Sequence, residues 1–149
     1  MKWTIKKFDE LNTKEFHDIL QLRINVFIVE QNCPYPELDD KDERAFHFFG
    51  QTLDDQKIVA YTRIFAPGDY FAKAAIGRVV VHNDFRKNGT GYELMSKSIE
   101  QIGKLFGTSD VKIGAQTYLK KFYESLGFKK VGEDYLEDGI PHIYMELNN

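Results

Sequence analysis

Residues 76–91, Ile-Gly-Arg-Val-Val-Val-His-Asn-Asp-Phe-Arg-Lys-Asn-Gly-Thr-Gly, constrain the fold of this chain more than any other stretch. The first six, dense in Val and Ile, read as a buried strand. From Thr90 onward Leu94, Met95, Ile99, Ile102 and Leu105 recur at helical spacing, and Gly107 is placed to stop that helix. Between strand and helix lies Arg86-x-x-Gly89-x-Gly91. Glycine lets backbone N–H groups approach a ligand with no Cβ in the way. Free N–H groups and the positive end of the helix dipole favour a phosphate. Arg86 and Lys87 add positive charge at the same place, so the loop suits a pyrophosphate. Its spacing matches neither the P-loop nor the dinucleotide GxGxxG pattern. On the loop alone, a tight strand-to-helix turn explains the glycines equally well.

The surrounding elements read β-α-β-β-β-α-β-α-β-β, an α/β chain with a mixed sheet and helices on its faces. A first strand covers 2–8. Asn12 with Glu15 resembles a capping box, and the helix it opens carries Phe16, Ile19, Leu20, Val26 and Phe27 in phase. That helix is expected to end near Gln31, because Pro34 and Pro36 cannot continue it. An acidic stretch, 37–43, follows as a loop or short helix. Strands at 45–51 and 57–65 form a hairpin around Asp54 and Asp55. A strand at 111–115 leads to a short helix at 118–126 closed by Gly127. A last hairpin, 130–136 and 140–147, turns at Asp138-Gly139.

At 149 residues and 42% hydrophobic, with no repeat and no linker, the chain fits a single domain over 1–149. A formal charge of −3 argues against a general nucleic-acid binder. The N-terminal MKWTIKKFDE lacks the apolar core of a signal peptide, and no apolar run is long enough to span a bilayer. The expectation is a soluble, cytoplasmic protein with neither nucleic acid nor membrane as partner. The single cysteine, Cys33, excludes an intramolecular disulfide, and scattered histidines give no metal-ligand spacing, so no metal is expected.

The segment Arg86-x-x-Gly89-x-Gly91 after a Val-rich strand resembles motif A of the GNAT N-acetyltransferases, where this loop holds the pyrophosphate of coenzyme A. Downstream, residues 114–128 end in FYESLGF and resemble the family's next motif. The segments 22–31 (LRINVFIVEQ) and 137–142 (EDGIPH) resemble the ElaA-type branch of that superfamily. Together the four matches span nearly the whole chain. The resemblance implies the GNAT fold, a splayed mixed sheet with the pantetheine arm of acetyl-CoA wedged between two parting strands. It places Val79, Val80 and Val81 along that arm and Arg86, Lys87, Asn88, Gly89, Thr90 and Gly91 around the pyrophosphate. Phe122 and Gln116 join them, although many members carry Asn where this chain has Gln116. It also implies a homodimer, though no segment marks an interface.

Acetyl transfer from a thioester to an amine needs a neutral amine and a proton for the departing thiolate. A thiol has a pKa of about 8.5 and a tyrosine about 10, so a placed tyrosine can protonate the sulfur. Tyr123 matches the family's tyrosine for this role; by spacing alone it reads as core, in phase with Leu119, Phe122 and Leu126. For the base, Glu30 is the first alternative. The strand position where some members carry a catalytic glutamate is Ile76 here, with Arg78 and Val80 on its face by strand alternation. Arg23 and Glu30 fall on one helical stripe, where a structural ion pair with Arg63 or Arg78 competes with catalysis as the explanation. Arg23, Arg78 and His142 are expected to meet substrate. His47 and His142 have the right chemistry for a base, yet a lone strand histidine is more often structural. His82, just before the loop, reads as a solvent-facing residue. Cys33 lacks any activating neighbour in sequence, so direct transfer is expected rather than an acyl-enzyme. Acidic residues 37–43 either attract a cationic acceptor or form a solvated loop.

The reading is therefore an acetyl-CoA-dependent N-acetyltransferase acting on a primary amine of a small molecule or peptide. The alternative is a non-catalytic acyl-CoA-binding module, which would bind without releasing thiol. Arg23-x-x-Val26-Phe27 also resembles acyl-homoserine lactone synthases, though the chain is short for them. A nucleotide-binding regulator is weaker still, for no purine-recognising motif follows the loop.

Overall fold

The computed structural model describes residues 1–148 and places seven strands in one mixed sheet. The strands are β1 (Lys2–Lys7), β2 (Phe46–Gln51), β3 (Ile58–Phe65), β4 (Ala74–Val81), β5 (Val111–Gln116), β6 (Lys129–Glu137) and β7 (Ile140–Leu147). Their spatial order is β1-β2-β3-β4-β5-β7-β6. Neighbours from β1 to β4 are antiparallel, β5 lies parallel to β4, and β7 sits between β5 and β6. The helices are α1 (Thr13–Ile24), α2 (Thr90–Phe106) and the short α3 (Lys120–Glu124).

Local signals explain most boundaries. At the start of α1 the Asn12 side chain accepts from the Glu15 N–H at 2.7 Å, and Glu15 accepts from the Asn12 N–H at 3.0 Å, a reciprocal capping box. Gly107 closes α2 at φ 67°, the left-handed conformation glycine adopts without strain. Asp138 and Gly139, at φ 49° and 78°, are the two left-handed residues that a tight hairpin turn requires. Two expected helices differ. The first stops being α-helical at Ile24 and widens into a π-helical turn over Asn25–Glu30. The expected 118–126 helix is a 3₁₀ turn, Thr117–Leu119, followed by α3.

The sheet buries both faces. Against α2 and α3 it packs Ile76, Ile113 and Met145 with Leu94, Met95, Ile102, Tyr123 and Phe128. Against α1 it packs Phe49, Tyr61 and Val80 with Ile19 and Leu22.

Two irregularities shape the centre of the sheet. Strands β4 and β5 pair only at Ala74 with Val111 and Ala75 with Lys112; beyond that they part. On the other side of β4 the register steps from Arg63↔Gly77 to Tyr61↔Val80. Strand β4 therefore carries one extra residue at Arg78–Val79, a bulge with Arg78 at φ 48°. One extra residue inverts the alternation downstream. Ile76 and Val79 accordingly face α2 while Val80 faces α1. This corrects the expectation that Ile76, Arg78 and Val80 share a face.

Candidate functional site

The gap between β4 and β5 is where a chain-like ligand can lie against unpaired backbone. Residues Arg78 and Val79 have no partner on β3, and β4 has none on β5 beyond Ala75. Val79 and Val81 are half-buried on the α2 side of the gap. At the wide end of β4 the chain turns through Asn83–Phe85 into the loop. Gly89 caps α2 at φ 85° and accepts the first helical bond from Glu93 N–H at 3.0 Å. The N–H groups of the first turn of a helix have no intrahelical acceptor. Thr90 is buried, with its hydroxyl donating to Asn88 Oδ1 at 2.7 Å. A Cβ on Gly91 would lie 3.6 Å from the Phe122 ring, an ordinary contact, so the start of α2 rests on α3 without requiring glycine there.

Arg86 folds back onto the strand it follows. Its Nε donates to Val81 O at 2.9 Å, and its two terminal nitrogens donate to the two Glu30 oxygens at 3.1 and 2.8 Å. The next residue, Gln31, accepts from Gln116 Nε2 at 3.3 Å. Glu30, the last residue of the π-helical turn, thus reaches the loop beyond β4, and Gln31 reaches the last residue of β5. Cys33 Sγ continues the same path to Asp138 O at 3.5 Å in the β6–β7 turn.

Three of the five carboxylates in the acidic stretch are tied up inside the protein, while Asp40 and Glu43 are exposed. Glu37 and Asp42 are buried, and with Asp39 they meet Arg23, Arg63 and Arg78. Arg23 lies 2.5 Å from Glu37 and 2.9 Å from Asp42; Arg63 lies 2.7 Å from Asp39 and 3.0 Å from Asp42; Arg78 lies 2.5 Å from Glu37. Three cations and three anions cancel, as burial of charge demands. Arg23 is 0% exposed, with every guanidinium nitrogen engaged. Its expected contact with substrate is corrected to a structural one, with Glu37 and Asp42 as partners, and Glu30 pairs with Arg86 rather than with Arg63 or Arg78. Arg78 keeps a partly exposed side chain stacked over Tyr35, 5.6 Å from the ring centre.

Tyr123 lies in the core beside Phe122 and Phe128, and burial pushes its phenol well above the usual tyrosine value. It therefore keeps its proton throughout the neutral range. His47 is fully buried. Its Nε2 lies 2.9 Å from Asp42 O, which can only accept, so Nδ1 accepts from the Tyr61 hydroxyl at 2.6 Å. Burial holds its imidazole below the ordinary value, against the pull of Asp42. With both nitrogens used, it is a structural residue. His82 Nδ1 accepts from Asp84 N–H at 3.1 Å and caps the turn before the loop. His142 on β7 is paired with Gln116 on β5 and Tyr135 on β6.

With the parted strands and the glycine loop in view, comparison with known proteins is decisive. The chain matches the family model described as acetyltransferase (GNAT) domain over residues 19–149. It belongs to the GNAT acetyltransferase family. Within that family it falls in the ElaA-type branch. Escherichia coli ElaA is 41% identical over 147 residues, covering 97% of this chain and 95% of ElaA. A UPF0039 protein of Schizosaccharomyces pombe is 42% identical, covering 99% and 97%. The crystal structure of an acyl-CoA N-acyltransferase from Pseudomonas aeruginosa superposes with a TM-score of 0.91 at 38% identity, covering 99% of each chain. Acyl transfer from an acyl-CoA is the general activity of the GNAT family.

This GNAT chain thus gathers Val81, Arg86, Glu30 and, through Gln31, Gln116 at one mouth, with Gly91 against Phe122. Arg23 lies apart from them, locked in the charge cluster. Sequence reasoning missed Gln31 and the pairing of the acidic stretch; the one available signal was Arg63, a cation inside the otherwise apolar run 58–65. A second groove, lined by Asn12, Asp18, Gln21, Asn25, Lys57 and His82, shares Glu30 with the site and otherwise runs along α1. Among the described residues no His, Cys, Asp and Glu group is placed to hold a metal ion, and no helix is long and apolar enough to cross a membrane.

Proposed function

We propose that this protein is an acetyl-CoA-dependent N-acetyltransferase that moves the acetyl group directly to a primary amine of a small molecule or peptide. The observation that carries the reading is the parting of β4 from β5 beside the bulge at Arg78–Val79, with the Arg86–Gly91 loop at its wide end. Val79, Val80 and Val81 would flank the pantetheine arm, the first and last through their backbone. The first-turn N–H groups of α2, with Arg86, Lys87 and Asn88, would receive the pyrophosphate. Phosphate oxygens would compete with the Glu30 carboxylate for the Arg86 guanidinium, so Glu30 is assigned to the loop rather than to the amine. Gln116 and Phe122 border the same mouth. Tyr123 would hand its proton to the departing thiolate as a general acid.

Calorimetric titration with acetyl-CoA and dephospho-CoA tests the donor site, with Gly89→Glu and Arg86→Ala beside the wild type. Micromolar binding, lost in Gly89→Glu and weakened in Arg86→Ala at unchanged melting temperature, is expected. Tyr123→Phe should keep that affinity and lose about a hundredfold in kcat. Absence of binding by the folded wild type would end the reading.

A further inference from the structure

We infer that His142 is the general base that takes a proton from the acceptor amine, an inference that rests on the acetyltransferase reading above. Its tautomer is set by geometry. Nδ1 lies 2.7 Å from Ile140 O, and a carbonyl oxygen only accepts, so Nδ1 carries the hydrogen. The lone pair of the neutral ring is therefore on Nε2. That nitrogen lies 3.5 Å from Glu137 Oε2. A carboxylate has no hydrogen to donate, so the neutral ring's lone pair is uncommitted.

The other three histidines do not meet these conditions. His47 has both nitrogens engaged inside the core. His82 spends Nδ1 as the acceptor that caps its own turn. His17 sits on the outer side of α1 with Nδ1 3.0 Å from Asp18. Only His142 belongs to the strand hydrogen-bonded to β5, opposite Gln116 at the wide end of the gap. Strand alternation puts the side chains of His142, Tyr144, Gln116 and Gly114 on one face of the sheet. That face is open at Gly114, an exposed glycine in a central strand. A Cβ there would fall 2.6 Å from the Tyr135 hydroxyl. Tyr135, stacked on Tyr144 at 4.4 Å and tilted over His142 at 5.6 Å, carries its hydroxyl across to β5.

The titratable groups around the ring are Tyr135 and Glu137 on β6, Tyr144 two residues along β7, and Tyr70 beyond Tyr135. The turn Thr117–Leu119, which packs on β7, adds Tyr118. Glu137 is the one carboxylate among them, and it is exposed.

The step balances as follows. Nε2 removes one proton from the ammonium, the nitrogen lone pair forms the C–N bond to the acetyl carbon, and the C–S bond breaks. The sulfur takes the Tyr123 hydroxyl proton, and Tyr123 is reprotonated by the second proton leaving nitrogen. His142 later loses its proton to water.

The test joins ¹⁵N NMR of the histidine rings with thiol release from acetyl-CoA, using n-butylamine, spermidine, glycine ethyl ester and a lysyl peptide as acceptors. In the wild type, His142 should show the Nδ1–H tautomer when neutral; an Nε2–H tautomer overturns the inference. The kcat/KM of the wild type should fall on the acid side as the ring protonates. In His142→Gln that limb should vanish, with kcat down about a hundredfold, acetyl-CoA affinity unchanged and partial rescue by added imidazole. A His142→Gln enzyme within about twofold of wild type with the same limb overturns the inference and leaves the transferase reading standing. A wild type that binds acetyl-CoA but releases no thiol with any of the four amines overturns both.

Discussion

Two arrangements of arginine and carboxylate in this molecule use the same chemistry at opposite depths. Arg23, Arg63 and Arg78 meet Glu37, Asp39 and Asp42 beneath the segment that follows the π-helical turn, and four of the six are buried. Arg86 meets Glu30 at the surface, with side-chain exposures of 35% and 40%. In the first, four of the charges have been taken out of water, so removal of one buried partner strands another. In the second, water can replace either partner, so the pair is weak and exchangeable. The buried cluster fixes where the 37–44 segment lies over the bulge of β4.

The largest effect should come from breaking the buried side. Arg23→Ala leaves Glu37 and Asp42 buried without their main cation, and should cost about 3–5 kcal/mol. Urea unfolding checks this; a loss under about 1 kcal/mol would mean that water reaches the cluster. Acid should act next, in two windows. Burial holds the folded His47 ring below its ordinary 6.5, so the unfolded chain binds the extra proton. Stability present above that value is therefore lost as pH falls through the folded one. Burial raises Asp39, but Arg63 outweighs it and holds the carboxyl below 3.8, so a further loss follows only beneath that value. Melting temperature against pH should show both windows, and His47→Gln should flatten the upper one alone. The smallest effect belongs to the exposed pair. Glu30→Gln should change stability by about 1 kcal/mol or less, and added salt should erase the difference. A larger, salt-independent loss would place Glu30 with the buried charges and remove the contrast.

Much of the fold was legible because it rests on local rules. The strand 76–81, the loop glycines and the stop at Gly107 are statements about backbone freedom and periodicity, which neighbours in sequence decide. Asn12 with Glu15 and Asp138 with Gly139 are of the same kind, and each sits where its pattern requires. The bulge was not legible. It needs a left-handed residue, and that residue is Arg78 rather than a glycine, so no local signal marks it; the facing strand β3 and the charges on Glu37 and Asp39 hold it. The face assigned to Val80 was wrong for that reason alone.

The candidate site divides the same way. The strand–loop–helix course of residues 76–91 could be read because periodicity and glycine placement are local signals. The roles of Arg23, Glu30 and His142 could not, because each depends on which atoms lie opposite across 14, 56 or two residues of chain. By itself the sequence determined the order of elements, the glycine loop and the family, since these follow from periodicity, turn chemistry and motif spacing. Only the tertiary structure decided where β4 parts from β5, which carboxylate each arginine meets, and which histidine nitrogen keeps its lone pair. The first two depend on contacts between residues remote in sequence, and burial makes the energies of the charge pairs large enough to override local preference; the third depends on the backbone course that brings Ile140 O to the ring.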